Sequence, residues 1–524
     1  MNTMTRTPFA FPRRAAPLAM AVALALGTSP AANAASAAAP NFVRNGAAVL
    51  HQQLRALMPP ASQIPSSPAA TQIVTSCADD DGSGTLRAAI ANLKNGGTVD
   101  LSALTCSSIT LTQGVIPVLL NDLTMIGPGA AALAIDGASA DRVLLHPGYG
   151  TLRIQGLTVR RGASSVTGYH VTGGGCIASA GYVVLDHSDV HDCFSSGEGV
   201  YGAGIFAYSL TLYTSTLSGS VARGSHPSTG TAAFGGGAYV GSLTLVDSTI
   251  SGNRAEHDLQ DGQTSYDTGG GAFVLNGINL RGSTVDTNYS YGIGGGLSVF
   301  AGPITIVDST ISGNTAKTRF GGGLDMRVFY GASISNTTVT RNSAPTGGGI
   351  NLRGTESGIT VQSTLVADNS AAGGIADLDA ANPAILAGSN NLIGTGGSGL
   401  TLPGDTLHGA PQLLPLADNG GPTRTHALQP ASPAIDAGNN IAALPSDQRG
   451  TGFPRVTGSA PDIGAFEAPL PLPPREPVSV PLASGAVLGA LALAIGWLGL
   501  GGLSQRQRRL FTHLSPGRRH SSHK

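Results

Sequence analysis

The sequence predicts an all-β chain: a single-stranded right-handed parallel β-helix with capping segments and a C-terminal transmembrane helix. Three observations predict it. Six stretches, beginning at Val183, Leu210, Leu243, Ile278, Ile304 and Ala332, repeat one pattern of two apolar residues spaced by one, a polar turn residue, Ser-Thr or a near equivalent, an apolar residue and a closing Asn. Glycine clusters separate the copies, at 173–175, 235–237, 269–271, 294–296, 321–323 and 347–349. The apolar positions have period two and are rich in β-branched residues, which argues for strands and against helical repeats.

Lined up, the copies give a hydroxyl column (Ser188, Ser215, Ser248, Ser283, Ser309, Thr337), an apolar column (Val190, Leu217, Ile250, Val285, Ile311, Val339) and a closing column (Cys193, Ser220, Asn253, Asn288, Asn314, Asn342). The period of about 25 to 35 residues lies in the solenoid range. A unit of short strands and glycine corners cannot bury its apolar side alone, so copies must stack like on like at about 4.8 Å, with Asn and Ser side chains forming ladders. Glycine supplies positive φ and close backbone approach at the corners. A propeller would share the period, but its aromatic signatures are missing and the single tryptophan is Trp497. A last copy, Ile359 to Asn369, reads as irregular: it loses a residue before Ser363-Thr364 and gains one after, so the coil is expected to distort there.

Charged residues are 11% of the chain and the formal net charge is −1, which excludes the basic footprint of nucleic-acid binding. Residues 1–34 read as a signal peptide: Arg6, Arg13 and Arg14, an apolar run from Ala15, then Ala32-Asn33-Ala34 as the cleavage site. An Ala/Pro-rich segment follows at 35–75. Residues 76–140 are read as an N-terminal cap and first coils, 141–376 as the helical repeats and 377–467 as a C-terminal cap. Then come a Pro-rich spacer at 468–477, an uncharged apolar anchor at 478–503 long enough to cross a bilayer, and a basic tail at 504–524 placed in the cytoplasm by Arg506, Arg508 and Arg509. The four cysteines of an exported chain allow three pairings. Short loops favour Cys77 with Cys106 and Cys176 with Cys193, against the alternative of buried free thiols.

The run "CADDDGSGTLRAAI" from Cys77, with "TVDLSALTCSSITLT" from Thr98 and "DLTMIGPGAAALAIDG" from Asp122, resembles the CSLREA-like N-terminal region of bacterial surface proteins with right-handed β-helix repeats. That resemblance implies a cap over the first coil, and Leu86, Ala89, Ile90 and Leu93 make one apolar helix face suited to it. From Asn390 to Glu467, "NNLIG", "PLADNGGPTRTHAL", "SPAIDAGN", "DQRG" and "PDIGAFE" resemble the choice-of-anchor Q domain. The spacer, apolar helix and arginine cluster resemble an IPTL-CTERM sorting signal, although Val480-Pro481-Leu482-Ala483 stands in place of Ile-Pro-Thr-Leu and the tail runs on to Lys524. These resemblances imply an exported surface β-helix without an established catalytic activity.

A β-helix of this kind is also the pectin-lyase-like fold, so catalysis on polysaccharides is the rival reading. It requires clustered carboxylates that bind Ca²⁺ beside a basic residue, or paired acids. Asp247 and Asp308 share a column with His187, Thr214, Gly282 and Asn336, two coils apart, and read as turn formers. His187, Asp189, His191 and Cys193 alternate as metal ligands would, but Asp189 sits in a column of solvent-facing Thr, and a polar outer face is the preferred reading. Asp79, Asp80 and Asp81 lack the rest of a calcium loop; Asp462 and Glu467 read as structural. Variable insertions fall at one register, 194–201, 221–234, 254–268, 315–320 and 343–346, and are expected to project as a rim of loops. His226, Glu256, His257, Asp258, Asp261, Tyr266 and Asp267 lie there, with Tyr289 and Tyr291 beside them, and are the ligand-binding candidates.

The expected function is thus that of an exported, membrane-tethered surface protein acting in adhesion or glycan binding without catalysis, and the alternative is a polysaccharide lyase or glycoside hydrolase. No cofactor, metal or catalytic residue is assigned. Expected partners are a polysaccharide or cell-surface glycan, the membrane through the C-terminal helix, and a sorting peptidase. The expected location is the cell surface or the periplasmic face of the membrane.

Overall fold

The computed structural model describes residues 46–60, 70–166, 171–224, 232–257, 267–354, 358–373 and 375–470. The signal peptide, apolar anchor and basic tail lie outside the described residues. Among the described residues no helix is long and apolar enough to cross a membrane.

The chain winds as a parallel β-solenoid, each coil paired in parallel with the next. Coils from Ala163 to Ala371 contribute strands to three faces. On the first face a representative coil places Leu324–Arg327 and Ala332–Ser335, on the second Thr338–Thr340 and on the third Ser343–Ala344. Across coils these become sheets of 21, 11 and 8 strands, with an extra three-stranded sheet of Val171–Gly173, Gly199–Tyr201 and Ala232–Phe234.

The predicted columns are the observed register. On the first face Leu245, Leu280, Ile306, Ile334 and Val361 stand above one another. On the second, Val190, Leu217, Ile250, Val285, Ile311, Val339, Val366 and Ile393 do the same. All thirteen are buried in one core cluster. The hydroxyl column is a ladder: the amides of Ser188, Ser215, Ser248 and Ser283 each donate to the Oγ of the next coil's serine. The asparagine column is another. The amides of Ser220, Asn253, Asn288, Asn314 and Asn342 donate to the next Asn Oδ1, and Asn369 continues the file to Asp377.

Three corners turn each coil, and all three use left-handed backbone. His187, Thr214, Asp247, Gly282, Asp308, Asn336, Ser363 and Asn390 have φ between 45° and 62° at the first corner. The shared column of Asp247 and Asp308 is therefore a turn column, as their residue types suggested. At the corner opening the first face the left-handed position is glycine in seven successive coils, at Gly174, Gly202, Gly235, Gly269, Gly294, Gly321 and Gly347. A Cβ on Gly235, at φ 75°, would lie 1.9 Å from the carbonyl oxygen of Ala238, and one on Gly236 would lie 2.3 Å from that of Gly270 in the next coil.

The Ile359 copy is not distorted. Gln362 pairs with Ser335 and Leu365 with Thr338, a constant offset, so Ser363 takes the turn position and Thr364 the hydroxyl position. The expected slip came from aligning Ser363-Thr364 with the Ser-Thr pair one place too early. Parallel pairing then continues past residue 376, through Leu378–Ala380, Ala384–Ala387 and Leu392–Ile393 to Leu400–Thr401.

Both favoured disulfides form, Cys77–Cys106 and Cys176–Cys193. Cys193 occupies the asparagine column, so a covalent link stands there in place of a ladder rung. The helix Leu86–Ala91 is capped by Thr85, whose hydroxyl accepts from the Ala88 amide. Its predicted apolar face, with Leu93 beyond its end, is buried in the solenoid core. Asp79 accepts hydrogen bonds from Arg87 and from the amides of Thr112 and Gln113, so it is a structural clamp in this turn.

The C-terminal segment departs from the expected end cap. Residues after Thr401 fold back along the second face, over coils from Gly282 to Asn390. The Thr423 hydroxyl donates to the Gly282 carbonyl, Arg424 pairs with Asp286, His426 meets Ser312, and Gln448 bridges Thr284 and Thr310. Further along, the Ala465 amide donates to Thr338, and Asn439 meets Ser363. Leu365, Ala367 and Leu392 pack there against Leu413, Leu428, Ile463 and Phe466. The threonine column read as solvent-facing is partly exposed at Thr216 and Thr249 but buried at Thr284, Thr310 and Thr338 beneath this cover. Polar Thr and Ser suit it because each hydroxyl finds a partner in the covering segment.

Candidate functional site

Where the expected rim of loops is described, the residues next to the closing column are strand. Phe194–Gly197, Val221–Gly224, Arg254–His257 and Tyr289–Ser290 form the third face, in register directly after the closing column. Their two or four residues are too short for a periodic signal, so the sequence showed only a variable gap. Of the predicted ligand residues, Glu256, His257 and Asp267 are described; His226, Asp258, Asp261 and Tyr266 lie outside the described residues.

Those three carry the base of the rim. Glu256 accepts from Arg223 at 2.7 Å and from Arg254 at 2.9 Å. Burial works to raise its carboxyl pKa, but the two arginines hold it below the ordinary value. His257 Nδ1 lies 2.5 Å from Asp267 Oδ2, and both side chains are fully buried. Asp267 also accepts from the Ala233 amide at 2.7 Å, and the His257 ring meets Tyr291 edge-on at 4.0 Å. His257 and Asp267 are therefore buried against each other, and Asp267 also reaches the amide of the preceding coil.

What the third face does present is cationic and aromatic. Arg223 lies over Phe194 at 5.6 Å, Arg254 over Tyr289 at 4.3 Å and Lys317 over Tyr291 at 4.7 Å. Each contact runs along neighbouring coils, and Arg223 and Arg254 both pair with the carboxylate of Glu256. Arg254 and Lys317 are exposed, and Arg223 and Tyr289 are half-buried. Burial raises the Tyr289 hydroxyl above its usual pKa, so it stays a neutral donor. Sequence reasoning found Glu256, Tyr289 and Tyr291 but missed Arg223, Arg254 and Lys317. The signal was available by counting from the closing column: one position on stand Val221, Arg254 and Tyr289, and three positions on stand Arg223, Glu256, Tyr291 and Lys317.

The other candidates resolve into structural roles. His187 pairs with Asp186, His191 with Asp192, and Cys193 is in a disulfide, so no shared metal site forms there. Among the described residues no three His, Cys, Asp or Glu side chains gather to hold a metal ion. Asp308 is buried under the C-terminal cover, 3.4 Å from Arg455. Arg455 in turn donates to the Asp462 carbonyl and lies 3.6 Å from Glu467, whose carboxylate accepts from the amides of Thr457 and Asp462. Asp462 and Glu467 thus fasten the cover.

No protein-family model matches the chain, and no curated protein matches it. Among solved structures, the crystal structure of pectate lyase Pel9A is similar, with a TM-score of 0.41 and 16% identity, over 77% of this chain and 97% of that one. A likeness of that size carries no argument about chemistry.

Proposed function

We propose that the chain is an exported surface solenoid that binds an anionic polysaccharide across its third face. The observation that carries this reading is the mosaic of Arg223, Arg254 and Lys317 with the half-buried rings of Phe194 and Tyr289 on the third face, in a chain that is otherwise poor in charge. Aromatic rings take the apolar faces of sugars, and cations take their carboxylates or sulfates. Strands about 4.8 Å apart offer these groups at a regular repeat, as a polymer requires. Export at residues 1–34, a CSLREA-like cap, a choice-of-anchor Q-like segment and an IPTL-CTERM-like membrane anchor at 478–503 belong to the same proposal; sequence motifs support them.

The test is binding of polygalacturonate by the full chain and by the Arg254→Ala, Lys317→Ala double variant. Binding that weakens at high salt and falls at least tenfold in the double variant supports the reading. Unchanged binding in the double variant, or no binding by the native chain, overturns it. Release of unsaturated uronate by the native chain would replace it with the lyase reading.

A further inference from the structure

Helix 46–55 lies on the outside of the first face, where the sequence showed only an Ala/Pro-rich segment. Ala47, Leu50 and Leu54 are buried against an external aromatic layer that includes Phe206, Tyr239 and Phe273. These three rings stack at 5.8 Å and 5.3 Å, one per coil. The helix does not fill the space beside this layer. A cleft of about 320 Å³ remains, lined by His51, Gln52 and Arg55 from the helix and by Tyr208, Gly241 and Asn276 from the solenoid.

We propose that this cleft is a second, separate carbohydrate subsite, for one uronate residue of an acidic polysaccharide, with Tyr208 as stacking face, Arg55 as carboxylate partner and Asn276, Gln52 and His51 as hydroxyl partners. Its volume is in the range of small-molecule sites. Gly241 opens it: a side chain at that position would meet the Tyr208 carbonyl oxygen at 2.4 Å and the Asn276 amide at 3.4 Å. His51 lines the cleft with its ring set against Phe206 at 4.7 Å. Burial, and secondarily Arg55, bring the His51 pKa down to about 4, so the ring is neutral and offers a donor or an acceptor.

The mouth of the cleft points to a polymer. Tyr149, Tyr182 and Tyr208 come from three consecutive coils and are each about half exposed, at 52%, 46% and 49%. Tyr182 meets Tyr208 edge-on at 5.5 Å, and Arg55 lies over Tyr149 at 4.4 Å. Among the described residues no carboxylate lines the cleft and its one charged group is the Arg55 guanidinium, which selects an acidic sugar over a neutral one.

Calorimetric titration of the full chain with hexagalacturonate tests this. Two classes of site are expected, one lost in the Arg254→Ala, Lys317→Ala variant and the other weakened about tenfold by Tyr208→Ala and retained by Tyr208→Phe. Tyr208 is half exposed, so unchanged thermal unfolding of Tyr208→Ala separates a lost subsite from a lost fold. If Tyr208→Ala and Asn276→Ala leave every class of site intact, or if the third-face variant abolishes all binding, the cleft proposal is overturned while the third-face reading stands. If only the Tyr208 variant loses binding, the cleft stands and the third-face reading falls.

Discussion

Replacing Asn314 by alanine takes one rung out of the asparagine file. Its Nδ2 donates to the Val285 carbonyl at 2.9 Å, to the Ser312 carbonyl at 3.2 Å and to Asn342 Oδ1 at 2.9 Å. Its Oδ1 accepts from the amide and from the Nδ2 of Asn288, both at 3.0 Å. Asn314 is fully buried, so no water replaces these partners. Net contributions of about 0.5–1.5 kcal/mol per hydrogen bond, with the Asn288 amide left as a buried orphan, predict a loss of roughly 3–6 kcal/mol. Asn279→Ala, at an exposed position on the first face, serves as the control and should change stability by less than about 0.5 kcal/mol. Equilibrium urea unfolding reads the total. Amide hydrogen exchange at Asn288 reads the local effect, which matters because coils of a solenoid need not unfold together. A loss below about 1 kcal/mol, with Asn288 protection unchanged, would refute the reasoning that the ladder holds the coils in register.

Two further predictions concern the cover over the second face. Burial, opposed by Arg455, pushes the Asp308 carboxyl up to about 7. The folded chain therefore holds a proton there that the unfolded chain releases near pH 4, so this stabilisation is complete below about pH 4 and is lost as pH rises through 7. Asp308→Asn, which suits the left-handed φ of 45°, should flatten the slope of unfolding free energy across that window; an unchanged slope rejects the assignment. Gln448→Ala leaves the buried hydroxyls of Thr284, Thr310 and Thr423 without their shared amide. It should cost about 2–4 kcal/mol and release strand Thr425–Leu428 to hydrogen exchange before the first-face strands. Equal release of both would show that the cover and the solenoid are one cooperative unit.

The repeat was legible because stacking copies each coil's inward and corner residues into the next, so Ile250, Val285 and Ile311 or Asn288, Asn314 and Asn342 announce themselves by recurrence. The disulfides followed from loop length. The rest depended on contacts between segments that share no period. Thr284 and Thr310 look like any outward threonine, and only the return of Arg424 and Gln448 along the flank decides that they are buried. His257 and Asp267 carry ligand-type chemistry, yet each side chain is buried against the other, a contact that no repeat announces. Helix 46–55 packs through only three small or branched side chains, too few for a helical period to stand out from an alanine-rich segment.

Pulsed dipolar spectroscopy on paired spin labels measures the stacking itself. Thr211, Thr244, Asn279, Thr305, Ser333 and Thr360 form one outward file on the first face. Labels at Thr211 with Ser333 are four coils apart and at Thr211 with Thr360 five, so the account predicts mean separations of about 19 and 24 Å, rising by one strand spacing per coil. Equal separations for the two pairs, or a Ser333 pair longer than the Thr360 pair, would contradict the claim that each repeat is one turn of a continuous parallel coil.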